Sequence, residues 1–374
     1  MTATALGVAL LAGCAQFPDE HGASWSEQPS LEPQSGPQPS FEEEEPPADS
    51  AGPPPEATEP TGCTDPDPAV VATCLGPIGA VAVLPDGESA LVAERDTGRV
   101  LQVERNSEPV ELARIPVDPS GDGGLTGLAL SPSYDEDELF YAYATTGGEN
   151  QVVRVAPGDR PKPVLTGIPS GDSGNSGALL DDGRGALLVA TGNGGNPEAA
   201  ADPASPAGKV LRIDGFGDPA PDNPNPGNPV VASGLQQPSG LCGGPDDGGT
   251  WITDRGGAQD ALHRVEYGRA LDSPEWTWRD EPGVSGCAAG NGSVVVSLED
   301  ASALFTLRPT PDGAFTGQPE KALEGTYGRL SAATLDQDGL VWLGTANKNG
   351  GEPVPSDDRV VRIEPPSGGS AGKD

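Results

Sequence analysis

Gly171 to Asp214 reads GDSGNSGALLDDGRGALLVATGNGGNPEAAADPASPAGKVLRID. Its two apolar segments, Ala186–Thr191 and Lys209–Asp214, are short and bounded by Gly, Asp and Pro, which makes them strands and not helices. A turn of Asp181, Asp182 and Gly183 precedes the first, and a long Gly/Pro/Ala loop separates the two. The same unit recurs. Its first strands are Ser89–Glu94, Leu139–Thr145, Ala186–Thr191, Thr250–Asp254, Ser293–Leu298 and Leu340–Thr345. Their partners are Arg99–Glu104, Gln151–Ala156, Lys209–Asp214, Leu262–Glu266, Ala303–Arg308 and Arg359–Glu364. Another β-like run stands before most pairs (VAVLP, GLALSP, AATLD), and a further one follows most (VELARIPV, PVLTGIP, PVVASGL).

Four strands per unit, at a period of about 45–60 residues, predict an all-β, six-bladed β-propeller of four-stranded blades between Ile78 and Glu364. A lone blade cannot bury both faces of its sheet, whereas a closed ring buries each face against a neighbour. The last blade runs out of chain for its outer strand, so Val70–Leu75 is expected to supply it and close the ring. The propeller is placed at 63–366, with 367–374 a disordered tail.

Composition agrees. The chain has 54 Gly and 42 Pro, which favours short strands and turns. Its formal net charge of -36 argues against nucleic acid and anionic lipid surfaces as direct partners. Residues 15–62 are rich in Pro, Ser, Glu and Gln and lack Lys and Arg, which predicts a disordered, extended linker.

Residues 1–14 end an apolar run with Leu11-Ala12-Gly13-Cys14, too short to span a membrane. The run resembles a bacterial lipoprotein signal, although no Lys or Arg precedes Arg95. The resemblance implies lipidation of Cys14 and an extracytoplasmic domain anchored to the cell membrane, expected to be monomeric. Four cysteines remain, an even number that suits an exported protein with two disulfides. Proximity favours Cys63–Cys74, leaving Cys242–Cys287 to join neighbouring repeats.

Several runs then carry a family resemblance: LVAERDTGRV (Leu91–Val100), GDGGLTGLALSPSY (Gly121–Tyr134), GKVLRIDG (Gly208–Gly215), DNPNPGNPVVASGLQQPSGL (Asp222–Leu241) and DRGGAQDALHRV (Asp254–Val265). In order and spacing they resemble the glucose/sorbosone dehydrogenases, soluble quinoproteins that oxidise aldoses with pyrroloquinoline quinone (PQQ) and calcium. The cysteine placement and Trp276–Ala289 look nearer still to a mycobacterial lipoprotein of that family.

That resemblance implies definite site residues, and the chain departs from them. The family's base is a histidine in a His-Asn-Gly-Gly segment, which here reads Gly174-Asn175-Ser176-Gly177. The aspartate that orients the base falls at Asn193. The family's Gly-Leu-Arg-Asn segment becomes Gly234-Leu235-Gln236-Gln237, and its Arg-x-Arg pattern keeps only Arg329. Candidate cofactor contacts are therefore Asp122, Asn175, Gln236, Gln237, Arg329 and Lys348, with Arg255 also considered near the axis. Candidate calcium ligands are Gly256 and Gly257, through their carbonyls, and Asp260, with Asp254 flanking them.

The two histidines offer little. His21 lies in the linker and His263 on a strand. Asp122 and Asp172 are the carboxylates that could substitute as a base, given burial. The acidic turn Asp135–Glu138 is a further calcium candidate. Short Ser/Gly strings read as background in so Gly-rich a chain. The expectation is a membrane-anchored propeller that has lost the His/Asp dyad and binds a sugar or protein ligand. The alternative is a PQQ- and calcium-dependent aldose dehydrogenase using another base.

Overall fold

The computed structural model describes residues 62–244, 249–257, 259–310 and 314–366. The expected signal with Cys14, nearly all of the linker and the tail lie outside them. The described chain is a six-bladed propeller. From the inside out, blade 1 is Ile78–Val83, Ser89–Glu94, Arg99–Glu104 and Val110–Arg114. Blade 2 is Leu125–Leu130, Phe140–Thr145, Asn150–Val155 and Lys162–Ile168. Blade 3 is Gly177–Asp181, Leu187–Thr191, Lys209–Ile213 and Val230–Ser233. A fifth strand, Arg269–Ala270, joins blade 3 in parallel. Blade 4 is Pro238–Gly244, Gly249–Gly256, Gln259–Arg264 and Trp276–Trp278. Blade 5 is Val284–Gly290, Ser293–Leu298, Ala303–Pro309 and Phe315–Ala322.

Blade 6 is Leu330–Leu335, Val341–Thr345 and Val360–Ile363, completed on its outer edge by Val70–Ala72. The ring therefore closes as expected, with Val70 opposite Val361 and Ala72 opposite Val360. Further bonds hold this strap. Cys74 and Leu75 donate their amides to the Ser356 and Asp358 carbonyls at 2.8 and 3.0 Å. Arg359 pairs with Asp65 at 3.0 Å, and the Tyr327 hydroxyl donates to Asp67 at 2.7 Å.

Both expected disulfides form. Cys63–Cys74 staples the strap, and Cys242–Cys287 joins the inner strands of blades 4 and 5.

The core consists of six apolar clusters, one between each pair of neighbouring blades. Second strands are covered on both faces, so Phe140–Thr145 and Leu187–Thr191 are buried throughout.

A belt of hydroxyl groups runs around the axis. Ser331 donates to the Ile78 carbonyl at 2.6 Å, and Ser285 donates to that of Ser331 at 2.5 Å. Ser239 donates to the Val284 carbonyl and Thr126 to that of Gly177, each at 3.0 Å. These four stand at register shifts in their inner strands, and the bulge aims each side chain at the next blade. Blade 1 has Gly79 at this position. A Cβ there would lie 2.1 Å from the Leu125 carbonyl oxygen, so only glycine permits the approach. Ser176 of blade 3 also belongs to the ring, but its buried hydroxyl has no partner among the described residues.

Buried carboxylates cap backbone amides on the same face. Asp254 accepts from Gln236 and Gln237, and Asp260 from Gly283 and Val284. Asp358 accepts from the Thr345 hydroxyl and the Lys348 amide. Burial pushes Asp254 from an ordinary 3.8 up to about 7, and Asp358 up to about 6.

Three measurements test these contacts. Ser285→Ala removes the hydrogen bond to the Ser331 carbonyl and should cost about 1 kcal/mol, read as a lower urea midpoint at unchanged slope. Replacing Cys63 and Cys74 by Ser should cost about 3 kcal/mol, and replacing Cys242 and Cys287 about 4 kcal/mol, the longer loop losing more on the chain-entropy account. The third concerns pH. Folded Asp254 and Asp358 keep protons that the unfolded chain releases near pH 4, so their contribution is fully present below that pH. It is lost as pH rises through about 6–7. The melting temperature should therefore fall between pH 5 and 8, and Asp254→Asn should flatten that decline.

Candidate functional site

The inner strands begin, and the second strands end, on one face, called the top here. Its axial mouth encloses about 60 Å3 and is lined by Arg95, Asp122, Ser176, Gln237, Arg255 and Glu299 together with the hydroxyl belt. Of the candidate cofactor contacts, Asp122 and Gln237 line this mouth, with Arg255 beside them.

The cations at this face are engaged. Arg95 donates to the Gly123 and Gly121 carbonyls at 2.9 and 3.2 Å. Arg255 donates to the Val284 and Gly283 carbonyls at 2.7 and 2.9 Å, and to Glu299 at 2.8 Å. Arg329 meets the other oxygen of Glu299 at 2.8 Å and Asp300 at 2.8 Å. These carboxylates outweigh burial, which alone would lower it, and hold the Arg329 guanidinium above its ordinary value. Lys348 does not line the mouth; it donates to the Leu75 carbonyl at 2.6 Å and secures the strap.

Asp122 accepts from the Asn175 amide at 3.1 Å and the Ser176 amide at 3.4 Å, thereby fixing the GNSG turn. Asn175 is buried and turned into its own loop. Its amide group donates to the Gly171 carbonyl and accepts from the Gly171 amide, at 2.7 and 2.8 Å. Gln236 is exposed, and its amides and carbonyl serve the scaffold. Asp172 is exposed at the edge of the same loop cluster.

Gly174 has φ +68°, and a Cβ on it would lie 2.5 Å from Asn193 Oδ1 and 2.9 Å from the Gly195 nitrogen. The loop that occupies this space is pinned. Gly194 donates to the Gly174 carbonyl, Asn193 donates to that of Gln236, and Asn193 Oδ1 accepts from Gly195, each at 2.8 Å. Farther along the same loop, the fully buried Lys209 donates to the carbonyls of Ala199, Ala200 and Ala207. Two of these carbonyls belong to the short helix Pro197–Ala201.

The candidate calcium ligands do not converge on one point. Gly256 and Gly257 lie at the tip of the second hairpin of blade 4, against Gln236, while the Asp260 carboxylate is bound to the blade 5 amides. Among the described residues, no group of three or more His, Cys, Asp or Glu is placed to hold a metal, the Asp135–Glu138 turn included. His263 is buried on the third strand of blade 4, and burial pushes its imidazole down to about 4.

Sequence reasoning missed the hydroxyl belt and Glu299. The belt did leave a signal. Thr126-Gly127, Ser176-Gly177, Ser239-Gly240, Ser285-Gly286 and Ser331-Ala332 place a hydroxyl residue before a small one where five of the six inner strands begin.

Comparison with known proteins agrees with this architecture. The glucose/sorbosone dehydrogenase family model matches residues 77–352. The aldose sugar dehydrogenase YliI of Escherichia coli strain K12 is 22% identical over 310 residues, covering 75% of this chain and 80% of its own. The PQQ-bound aldose sugar dehydrogenase of Streptomyces coelicolor has a TM-score of 0.73 at 32% identity, covering 79% of this chain and 96% of its own. A glucose dehydrogenase-type oxidoreductase of Thermus thermophilus gives 0.72 at 31% identity, over 79% and 98%. With most of its propeller matched in sequence and in fold, the chain belongs to the glucose/sorbosone dehydrogenase family.

Proposed function

We propose that this chain is a propeller of the glucose/sorbosone dehydrogenase family that has lost sugar oxidation and works as a ligand- or protein-binding module. One observation carries the reading: the position of the family's base is a glycine with no room for a side chain. Hydride transfer from the carbon that bears a sugar's hydroxyl requires a group that takes the hydroxyl proton. At Gly174 the space for that group is filled by Asn193 and the backbone of Gly194 and Gly195.

The residues present do not fit PQQ either. Its three carboxylates need cationic partners, and Arg95, Arg255, Arg329 and Lys348 all donate to the protein's own carbonyls or carboxylates. A tricyclic cofactor needs a pocket of roughly 300 Å3 or more, against about 60 Å3 at the axial mouth. Cys14, as a lipid-bearing residue, would hold this module at the outer surface of the cell membrane with residues 15–62 as its tether.

The dehydrogenase reading keeps one specific support, the 32% identity to the PQQ-bound Streptomyces enzyme over 96% of that chain. Its base would be Asp122, which faces the mouth and forms no ion pair among the described residues.

Titration with PQQ and calcium, followed by tryptophan fluorescence and then by dye reduction with aldoses, separates the two. No saturable binding at micromolar PQQ and no turnover are expected. PQQ-dependent dye reduction abolished by Asp122→Asn would establish the dehydrogenase instead. The double variant Gly174→His, Asn193→Asp should melt earlier than the parent and leave dye reduction at background.

A further inference from the structure

Below the hydroxyl belt the axial channel widens toward the opposite face. It encloses about 320 Å3 between the six inner strands. Val83, Leu130, Leu180 and Leu335, from blades 1, 2, 3 and 6, stand half-buried at its lower end. The wall is formed by paired strands, so the cavity is preformed and filling it orders little.

The turns leaving these strands are acidic. Glu88, Asp135, Glu136, Glu138 and Asp338 are all exposed there. Among the described residues of these turns Arg184 is the one cation, and it lies 3.8 Å from Asp182. Asp338 has Arg362 at 3.7 Å, and Glu88, Asp135, Glu136 and Glu138 form no ion pair among the described residues.

We propose that this lower mouth docks a cationic protein segment. One aliphatic or aromatic side chain enters the channel, and the flanking lysines or arginines meet the carboxylates on the turns of blades 1, 2 and 6. The two halves of the site select the occupant together. Asp181 and Thr334 also line the channel, but Val83, Leu130, Leu180 and Leu335 give its lower end an apolar surface that favours a large hydrocarbon side chain over a polar one. The acidic rim draws a basic partner, speeds its encounter, and repels nucleic acid and anionic lipid. The inference is independent of the top-face reading, so PQQ binding above would leave it standing.

The test uses the full chain, with both disulfides formed, and a fluorescein-labelled peptide of one phenylalanine between two pairs of lysines. Control peptides carry alanine for phenylalanine, or glutamates for the lysines. Saturable binding is expected for the first, about tenfold weaker for either control, and falling as salt rises. Leu180→Asn should weaken it about fivefold by making the channel polar. The triple variant Glu88→Gln, Glu136→Gln, Asp338→Asn should remove most of the salt dependence. Because its three positions are exposed, it carries the test should Leu180→Asn fail to fold. Equal affinity for the phenylalanine and alanine peptides, or binding unchanged in both variants, would place the peptide elsewhere on the acidic surface and overturn the proposal. So would no binding at millimolar peptide.

Discussion

Ring closure is the constraint on which the remaining structure depends. Each sheet is apolar on both faces, and the six clusters between blades are the whole core, so an open arc would expose two of those faces to water. The closing strand has only three residues, yet it serves two clusters. Val70 packs in the cluster between blades 5 and 6, and Val71 and Ala72 in the one between blades 6 and 1. Strand pairing alone would be a weak clasp at that length. The Cys63–Cys74 bond, the Arg359–Asp65 pair and the bonds from Arg105 to the Pro68 and Val70 carbonyls share the task.

The same economy extends to the top face, where polar groups serve the ring. Asp122, Asp254, Asp260 and Asp358 accept from backbone amides, while Arg95 and Arg255 cover carbonyls at the start of the next blade. A buried group satisfied in this way needs no ligand for the fold to be complete. Glu299 shows the consequence for recognition. It holds Arg255 and Arg329 at 2.8 Å each, so two guanidinium groups on the face where an anionic cofactor would sit already have their anion. Family membership fixes the blades, and the site on them can lose one chemistry without disturbing the scaffold.

The blades were legible because a strand buried on both faces leaves a short apolar run between Gly- and Asp-rich turns, repeated six times. The paired strands fall within a few residues of where the sequence put them, as do the closing strand and both disulfides. Contacts set by side-chain direction were not legible. Asp260 sits beside Gly256 and Gly257 in sequence, but its carboxylate crosses to the Gly283 and Val284 amides. Lys348 similarly commits its ammonium to the Leu75 carbonyl. The Arg269–Ala270 strand was missed because two residues carry no period, and its parallel partner lies far back in the chain. The Ser/Gly strings were read as background because a single bulged serine has no signature in one repeat. It becomes visible only when the starts of all six inner strands are set side by side.

The closure over Gly174 is shared among three loops, so one residue cannot reverse it. A Cβ at Gly192 would lie 2.1 Å from the Gly174 carbonyl oxygen, and one at Gly171 would lie 2.2 Å from that of Gly194. A Cβ at Gly121 would lie 2.6 Å from the Asp172 carbonyl. Each loop reaches its neighbour by backbone-to-backbone contact that only glycine allows. A histidine placed at Gly174 would have to move the Asn193–Gly195 backbone, and with it the hydrogen bonds to Gly174 and Gln236. Gly174 also has a positive φ, which adds strain for any other residue. Room for a side chain at Gly174 is therefore set by the path of three loops as well as by the residue that stands there.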